Sequence, residues 1–259
     1  QYLISIFDYE TAEFIKDSFG YDSEFLLLNA DAALKMFNDD FFSDGDYYVL
    51  KNGLSSIVDT IEKKLKGNNV KIKKNCSLKE INDKENFITT TDNENFYFRN
   101  LVCAVPQKSL LEIDYFNKND IFNAVEPIPL LRIYAKYPSN QVWFKDLNRT
   151  ITNNYIRHII PIDSNGLIMI SYTDNQYAKI WKQCGTNGDD FLIKALHKEI
   201  KELYNIDPPK PQFISSHYWN EGVHFWKPGY NMDEIYDIII QPNDKKEIYV
   251  CGEAYSKKQ

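Results

Sequence analysis

Two apolar runs in this chain end abruptly. Leu101 to Val105 stops at Pro106, and the β-rich run Ile248 to Cys251 breaks into Gly252-Glu253. Leu101 to Val105, apolar without polar alternation, suits a strand covered on both faces, and a proline, which has no N–H to give a ladder, ends it. Helical spacing stands beside these runs. Tyr9 to Phe42 reads as two or three short helices, with Phe14, Ile15, Phe19, Leu26, Leu27, Ala30, Leu34 and Phe37 at helical intervals. Leu54 to Leu65, opened by Asn52-Gly53 and ended by Gly67, puts Leu54, Ile57, Val58, Ile61 and Leu65 on one face. Phe191 to Tyr204 is the clearest helix, with Phe191, Ile193, Ala195, Leu196, Ile200 and Leu203 on its inner side and Asp207-Pro208 just past its end. The fold class is therefore α/β, in a mixed α+β form.

Shorter strand signals lie at Tyr47 to Leu50, after the turn Ser43-Asp44-Gly45-Asp46, and at Val70 to Ile72, Leu78 to Ile81, Phe87 to Thr91 and Phe96 to Phe98. From Leu130 the strands lengthen: Leu131 to Tyr137, Tyr155 to Ile162 and Leu167 to Tyr172, the last two joined by Asp163-Ser164-Asn165-Gly166, which predicts an antiparallel meander. Pro208, Pro209 and Pro211 make a stiff connector to Phe213 to Trp219, and no internal repeat is visible.

Composition narrows the function classes. A chain of 259 residues, 43% hydrophobic, is long enough for one large or two medium domains with a proper core. Its net charge of -7 and pI near 5.2 argue against a nucleic-acid partner, although Lys71 to Lys74 is locally basic. No run approaches the roughly 18 to 20 apolar residues of a membrane span, and QYLISIFDYE has no basic region before an apolar core. Cys76, Cys103, Cys184 and Cys251 form no CxxC pair and read as free, mostly buried thiols, which favours a reducing intracellular compartment. His158, His197 and His217 stand apart, so no metal site is expected, and His197 falls on the outer side of its helix. No GxSxG nucleophile elbow occurs.

In order along the chain, YVLKNGLSSIVDTIEKKLKG, VKIKKNCSLKEI, LVCAVPQKSL, LLRIYAKYP with Val142-Trp143-Phe144, YWNEGVHFWKPG and IYVCGEAYS resemble the flavin-containing amine oxidase family, the monoamine and polyamine oxidases. The resemblance runs from about Tyr47 to the end; the amino-terminal helices match only in character. It implies part of an FAD-binding Rossmann-like domain and a substrate domain with a mixed or antiparallel sheet and helices. The expected division is 1–45, helical part of the substrate domain; 46–122, middle of the FAD-binding domain; 123–222, substrate-domain sheet and helix; and 223–259, return to the FAD-binding domain. Such folds normally open on GxGxxG, whose glycines let backbone reach a pyrophosphate at a helix N-terminus, and none of the 10 glycines here makes that motif. The family's helix after Gly-Glu is also missing. The sequence is thus expected to be a piece of a longer protein that binds FAD poorly on its own.

The resemblance assigns roles residue by residue. Arg132, in the apolar strand LLRIYA, stands where the family has a lysine holding a water near the flavin N5, and is the candidate catalytic residue, orienting water or a flavin carbonyl. An arginine at a strand edge paired with an acid such as Glu126 is the structural alternative. Trp219, His224, Phe225 and Trp226, read as an aromatic loop, are candidates for the substrate wall, where cation–π attraction to an ammonium is worth roughly 0.5 to 2 kcal/mol. Leu78, Val105 and Pro106 would line the adenine and ribose part of the cofactor, and Gly252 and Glu253 would offer backbone N–H groups to its pyrophosphate and ribityl region. Some family members attach flavin through a cysteine near the place of Val223, so FAD is expected to be non-covalent. The reaction implied is oxidation of a small-molecule amine, with hydride passing to flavin N5 and oxygen restoring the flavin. A desaturase or protoporphyrinogen-oxidase-type flavoprotein, or a non-catalytic interaction domain of a degenerate homologue, are the alternatives.

Overall fold

The structure, a computed structural model, describes residues 2–41 and 50–257. The chain opens with α1 (Tyr2–Ile6), α2 (Tyr9–Phe19), α3 (Ser23–Leu26) and α4 (Ala30–Phe41), and α5 (Ser55–Gly67) follows. The expected strand from Tyr47 falls, apart from Leu50, outside the described residues. An antiparallel meander comes next, β1 (Leu78–Asn82), β2 (Phe87–Thr90) and β3 (Asn95–Tyr97). Then β4 (Leu101–Cys103), α6 (Gln107–Leu111), α7 (Asp114–Asn117) and a 3-10 turn over Asp120–Asn123 lead into β5 (Val125–Lys136). The remaining elements are β6 (Thr150–Ile151), β7 (His158–Pro161), β8 (Leu167–Asp174), α8 (Asn175–Thr186), α9 (Asp189–Tyr204), β9 (Phe213–Trp226), α10 (Met232–Ile240), β10 (Ile248–Val250) and a 3-10 turn over Glu253–Tyr255.

The principal sheet is antiparallel in the order β6-β7-β8-β5-β9, and β9 follows β5 along its whole length, from Val125 opposite Trp226 to Lys136 opposite Phe213. Period-two alternation divides its faces. Leu131, Ile133 and Ala135 of β5 point into a core with Ala178 and Trp181 of α8 and Leu192, Leu196 and Ile200 of α9. A second core gathers Cys103, Phe116, Phe122, Val125, Ile128, Trp226, Ile248, Val250 and Tyr255. Thus β5 and β9 run through both cores, Val125 and Ile128 in one and Leu131 to Ala135 in the other. The amino-terminal helices dock through buried polar anchors. Arg157 Nε donates to the Gly20 carbonyl at 3.2 Å, and Asp174 accepts from the backbone N–H groups of Asp22 and Ser23 at 3.0 and 2.9 Å.

Several expectations are corrected. Residues 219–226 are not a loop: they are the second half of β9, accommodated by a bulge where Leu130 follows Pro129 and by Gly222, which lies against Leu130. Val70 to Ile72 is not a strand; both residues are exposed, and Val70 N–H closes a helix-end turn on the Leu65 carbonyl at 3.0 Å. The run from Leu101 is strand only to Cys103, with Val102 and Val105 exposed. Helix α5 forms, yet its apolar stripe, Leu54 to Leu65, is exposed. In α9 the buried stripe is Leu192, Leu196, Glu199 and Ile200, and Phe191 is exposed. His197 is half-buried rather than outward, its Nε2 3.5 Å from the Tyr137 hydroxyl. All four cysteines are free, but Cys251 is exposed and only Cys103 is buried.

Candidate functional site

Strands β4 and β10 pair in parallel, Leu101 with Ile248 and Cys103 with Val250, and Cys251 N–H continues the ladder to the Cys103 carbonyl at 3.1 Å. Parallel pairing puts both carboxyl ends on one side, where α/β sheets bind ligands. Ala104, Val105 and Pro106 are exposed at one strand end, Cys251, Gly252 and Glu253 at the other. Gly252 has φ 132°, a conformation essentially reserved for glycine, and a side chain there would point into open space. The strand ends therefore present accessible backbone. Leu78 lies apart, at the start of β1, packed half-buried against the first core.

Glu253 does more than offer backbone. Its Oε1 accepts the backbone N–H of His224 at 3.0 Å, and its Oε2 lies 3.0 Å from His224 Nδ1. A carboxylate there requires the proton on Nδ1. On the other side of the ring, Nε2 stands 3.7 Å from Glu221 Oε2, and both atoms are buried without a hydrogen-bond partner among the described residues. His224 is 3% exposed, Phe225 4% and Trp226 1%; Trp226 Nε1 donates to the Ser256 carbonyl at 2.9 Å. Phe225 and Trp226 thus belong to the core rather than to a substrate wall, a correction explained by the end of β9 being buried on both faces within the first core.

Trp219 is elsewhere. It lies toward the middle of β9, 45% exposed, on the uncovered face of the principal sheet. There Arg132 of β5, opposite His217 on β9 and Tyr172 on β8, holds its guanidinium carbon 4.5 Å from the Tyr172 ring centre and 5.9 Å from that of Trp219. Its Nη2 donates to the Tyr172 hydroxyl at 3.3 Å. Burial works against its charge, but the hydroxyls of Tyr172 and Tyr134 outweigh it and the pKa is raised. The proposed pairing with Glu126 does not occur: Glu126 faces Lys227 at 3.6 Å, and among the described residues no carboxylate lies within 4.0 Å of Arg132. His217 stacks on Trp219 with ring centres 6.1 Å apart, and Tyr134 meets His217 edge-on at 5.9 Å. Tyr21 covers the far side of Tyr172 at 5.3 Å and His158 at 4.6 Å. Cavities of about 440 and 650 Å³ lie around Tyr137–Asn140 and Asn187–Asp190 and share no residue with this face, on which His217 and Trp219 are exposed.

The sequence reading missed Tyr134, Tyr172, His217 and Glu221. Alternation would have found two of them, Tyr134 two residues from Arg132 on β5 and His217 two residues from Trp219 on β9, whereas Tyr172 arrives only through the β5–β8 register. Nothing in the sequence signals that Glu221 lies beside His224, because that follows from the strand's extension beyond Trp219.

This is a two-core α/β fold whose open antiparallel sheet is joined by continuous strands to a parallel strand pair. It is similar to the crystal structure of a protein from Exiguobacterium sp. 255-15 provisionally described as a protoporphyrinogen oxidase, with a TM-score of 0.64 and 12% identity over 86% of this chain and 52% of that one. A family model, flavin containing amine oxidoreductase, matches residues 3–258, and the chain belongs to that family. Aplysianin-A of Aplysia kurodai is 21% identical over 196 residues, 61% of this chain and 35% of that protein. The chain therefore spans about a third to a half of the length of these relatives.

Proposed function

We propose that this chain supplies one side of the site of an FAD-dependent oxidoreductase that oxidises an amine. The observation that carries the reading is the convergence, at one side of the β4–β10 pair, of exposed backbone at Ala104 to Pro106 and at Gly252-Glu253, joined by Glu253 to the end of β9. The residues present fit part of a flavin: a glycine with no side chain in the way and two strand ends open to a ligand. They do not include a glycine-rich strand-to-helix turn for its pyrophosphate. On this reading residues 46–122 and 223–259 belong to the cofactor side, and 123–222, with the helices of 1–45, to the substrate side, although α4 also packs on the first core through Ala32, Ala33 and Met36.

The bound flavin would supply the two-electron acceptor. This chain's residues would position and dehydrate. Glu253 fixes the ring of His224 and the end of β9, and Trp219, His217 and Tyr134 offer ring surfaces to a substrate. FAD is held without a covalent bond, Val223 being unable to form one. The test is the protein encoded by the whole reading frame that carries this sequence. It should purify with bound, acid-extractable FAD and release peroxide from at least one member of a panel of primary and secondary amines. A flavin-free protein, or a flavoprotein that oxidises none of them, refutes the amine reading.

A further inference from the structure

We propose that residues 2–26 form a flap that opens from the principal sheet as a unit, and that His158, beneath its corner, couples the opening to acid. Neither hydrophobic core takes a residue from this segment: α1 buries no side chain, α2 only Ala12 and α3 only Ser23. A segment with so little buried apolar surface belongs to the low-stability end of a fold and can open without the rest. Its docking on the sheet is polar and confined to the corner from Asp17 to Ser23. Arg157 donates from Nε to the Gly20 carbonyl at 3.2 Å, and from Nη1 and Nη2 to Asp17 Oδ1 and the Asp17 carbonyl, each at 3.4 Å. Asp174 accepts the Asp22 and Ser23 N–H groups, and Gln176 donates to the Asp22 carboxylate at 3.0 Å. Beyond the corner the chain is pinned. Leu27 and Leu28 join the first core, Asn29 N–H donates to the Trp226 carbonyl at 2.8 Å, and Phe37 of α4 meets Phe19 and Phe25 at 4.9 and 5.3 Å. The pivot therefore falls just before Leu27.

His158 lies under that corner. Tyr21 covers its ring at 4.6 Å, and Gly20 is so close that a Cβ there would stand 2.4 Å from Nε2. The groups that face the imidazole are Tyr21 from the corner, Tyr172 from β8, and the cations of Arg149 and Arg157, and among the described residues neither ring nitrogen has a hydrogen-bond partner. A proton added to the closed corner thus meets no acceptor and two positive charges; lifting the corner gives it water. Closure, through burial first and the two arginines next, pushes the pKa down from 6.5 to about 4. Opening is therefore insensitive to pH above 6.5 and grows as pH falls toward 4, and between about pH 7 and about pH 4.5 these values raise the opening constant roughly 50-fold. Asp22 works the other way. Burial first and Asp174 next raise its pKa, so its neutral form favours closure and offsets part of the rise in acid. An open flap uncovers Tyr172, which stands between Tyr21 and Arg132 on the uncovered face of the sheet. The flap thus controls access to one side of that face, independently of flavin or turnover.

Hydrogen exchange of the full-length protein, read by mass spectrometry at about pH 7 and about pH 4.5 and corrected for intrinsic rates, tests this. Peptides from α2 and the corner should show an opening constant about tenfold or more above that of β5 at both pH values, and it should rise by up to roughly 50-fold in acid. His158→Phe should keep the separate opening and lose the rise. Asp22→Asn should keep the rise and enlarge it, because the opposing carboxyl is gone. Flap peptides that exchange in step with β5 overturn the proposal, since the segment then opens only with the whole domain. So does a flap that ignores acid, or an acid response that survives in His158→Phe or disappears in Asp22→Asn. If His158→Phe does not fold, the wild-type comparison with β5 and the response of Asp22→Asn still decide.

Discussion

Mild acid should destabilise this protein through one histidine. His158, at the start of β7, is completely buried, neither ring nitrogen has a hydrogen-bond partner among the described residues, and its ring lies 4.6 Å from that of Tyr21 and 5.9 Å from that of Tyr172. Burial first, then the charges of Arg149 and Arg157, oppose its protonation and push its pKa down from 6.5 to about 4. A base with a depressed folded pKa takes up its proton more readily when unfolded. Its contribution to stability is therefore complete above pH 6.5 and is lost as pH falls to about 4. At about 1.4 kcal/mol for each pH unit, that interval is worth about 3 kcal/mol, a large share of the roughly 5 to 15 kcal/mol that holds a domain folded. The perturbation is His158→Phe, which keeps a ring and removes the proton site. Any packing cost against Gly20, whose backbone the imidazole abuts, is the same at both pH values and cancels. Urea unfolding followed by circular dichroism at about pH 7 and about pH 4.5 should show the wild type losing about 2 to 3 kcal/mol more than the variant on acidification. Equal losses in the two proteins would falsify the assignment of acid sensitivity to this side chain.

Other expectations concern the strand ends and the helix docking. Glu253→Gln and His224→Asn, combined in a double-mutant cycle by urea unfolding, should couple by about 1 kcal/mol, a value kept low because the Glu253 side chain is 50% exposed; additivity within about 0.3 kcal/mol would mean that the contact carries nothing. Gly222→Ala would place a Cβ 2.4 Å from Leu130 Cγ and 2.5 Å from its Cβ, so melting should reveal about 1 to 3 kcal/mol of overpacking, and an unchanged melting temperature would show that β9 yields freely. The Asp22 carboxyl is pushed up by burial first and by Asp174 next, so its ionisation opposes folding: the favourable contribution of its neutral form is present in acid and lost as pH rises through the folded pKa. Asp22→Asn, still able to accept from Gln176, should thus stabilise the protein near neutrality and confer no advantage in acid. The same gain at every pH would contradict that cause.

Elements with a strong local signal were legible. The meander β1 to β3 and helices α5 and α9 come from patterns that propensity and turn residues nearly determine. What failed depended on partners. In β5, Pro127 and Pro129 conceal the first five residues of a strand, because a proline usually excludes the middle of a sheet; here the bulge at Leu130 absorbs the missing donor. The Asn220-Glu221-Gly222 sequence in β9 reads as a turn, yet β5 supplies a ladder beyond it. Helix α8 was missed because it buries only Ala178 and Trp181, too thin a stripe to stand out from its polar residues. The apolar face of α5 was visible, but a pattern specifies a face and not what covers it.

The same distinction governs position 132. The family resemblance implies a lysine there, and a substitution of one cation for another looks conservative until the surroundings are in view. An ammonium is a compact, strongly hydrated point charge with no face to lay against a ring. The guanidinium of Arg132 lies 4.5 Å from the Tyr172 ring centre and 5.9 Å from that of Trp219, using both aromatic neighbours, and donates from Nη2 to the Tyr172 hydroxyl. Neither neighbour is adjacent in sequence: Tyr172 arrives through the β5–β8 register and Trp219 through β9. An arginine where the resemblance implies a lysine would therefore differ in geometry rather than charge, and its surroundings come from two strands that the motif around it does not contain.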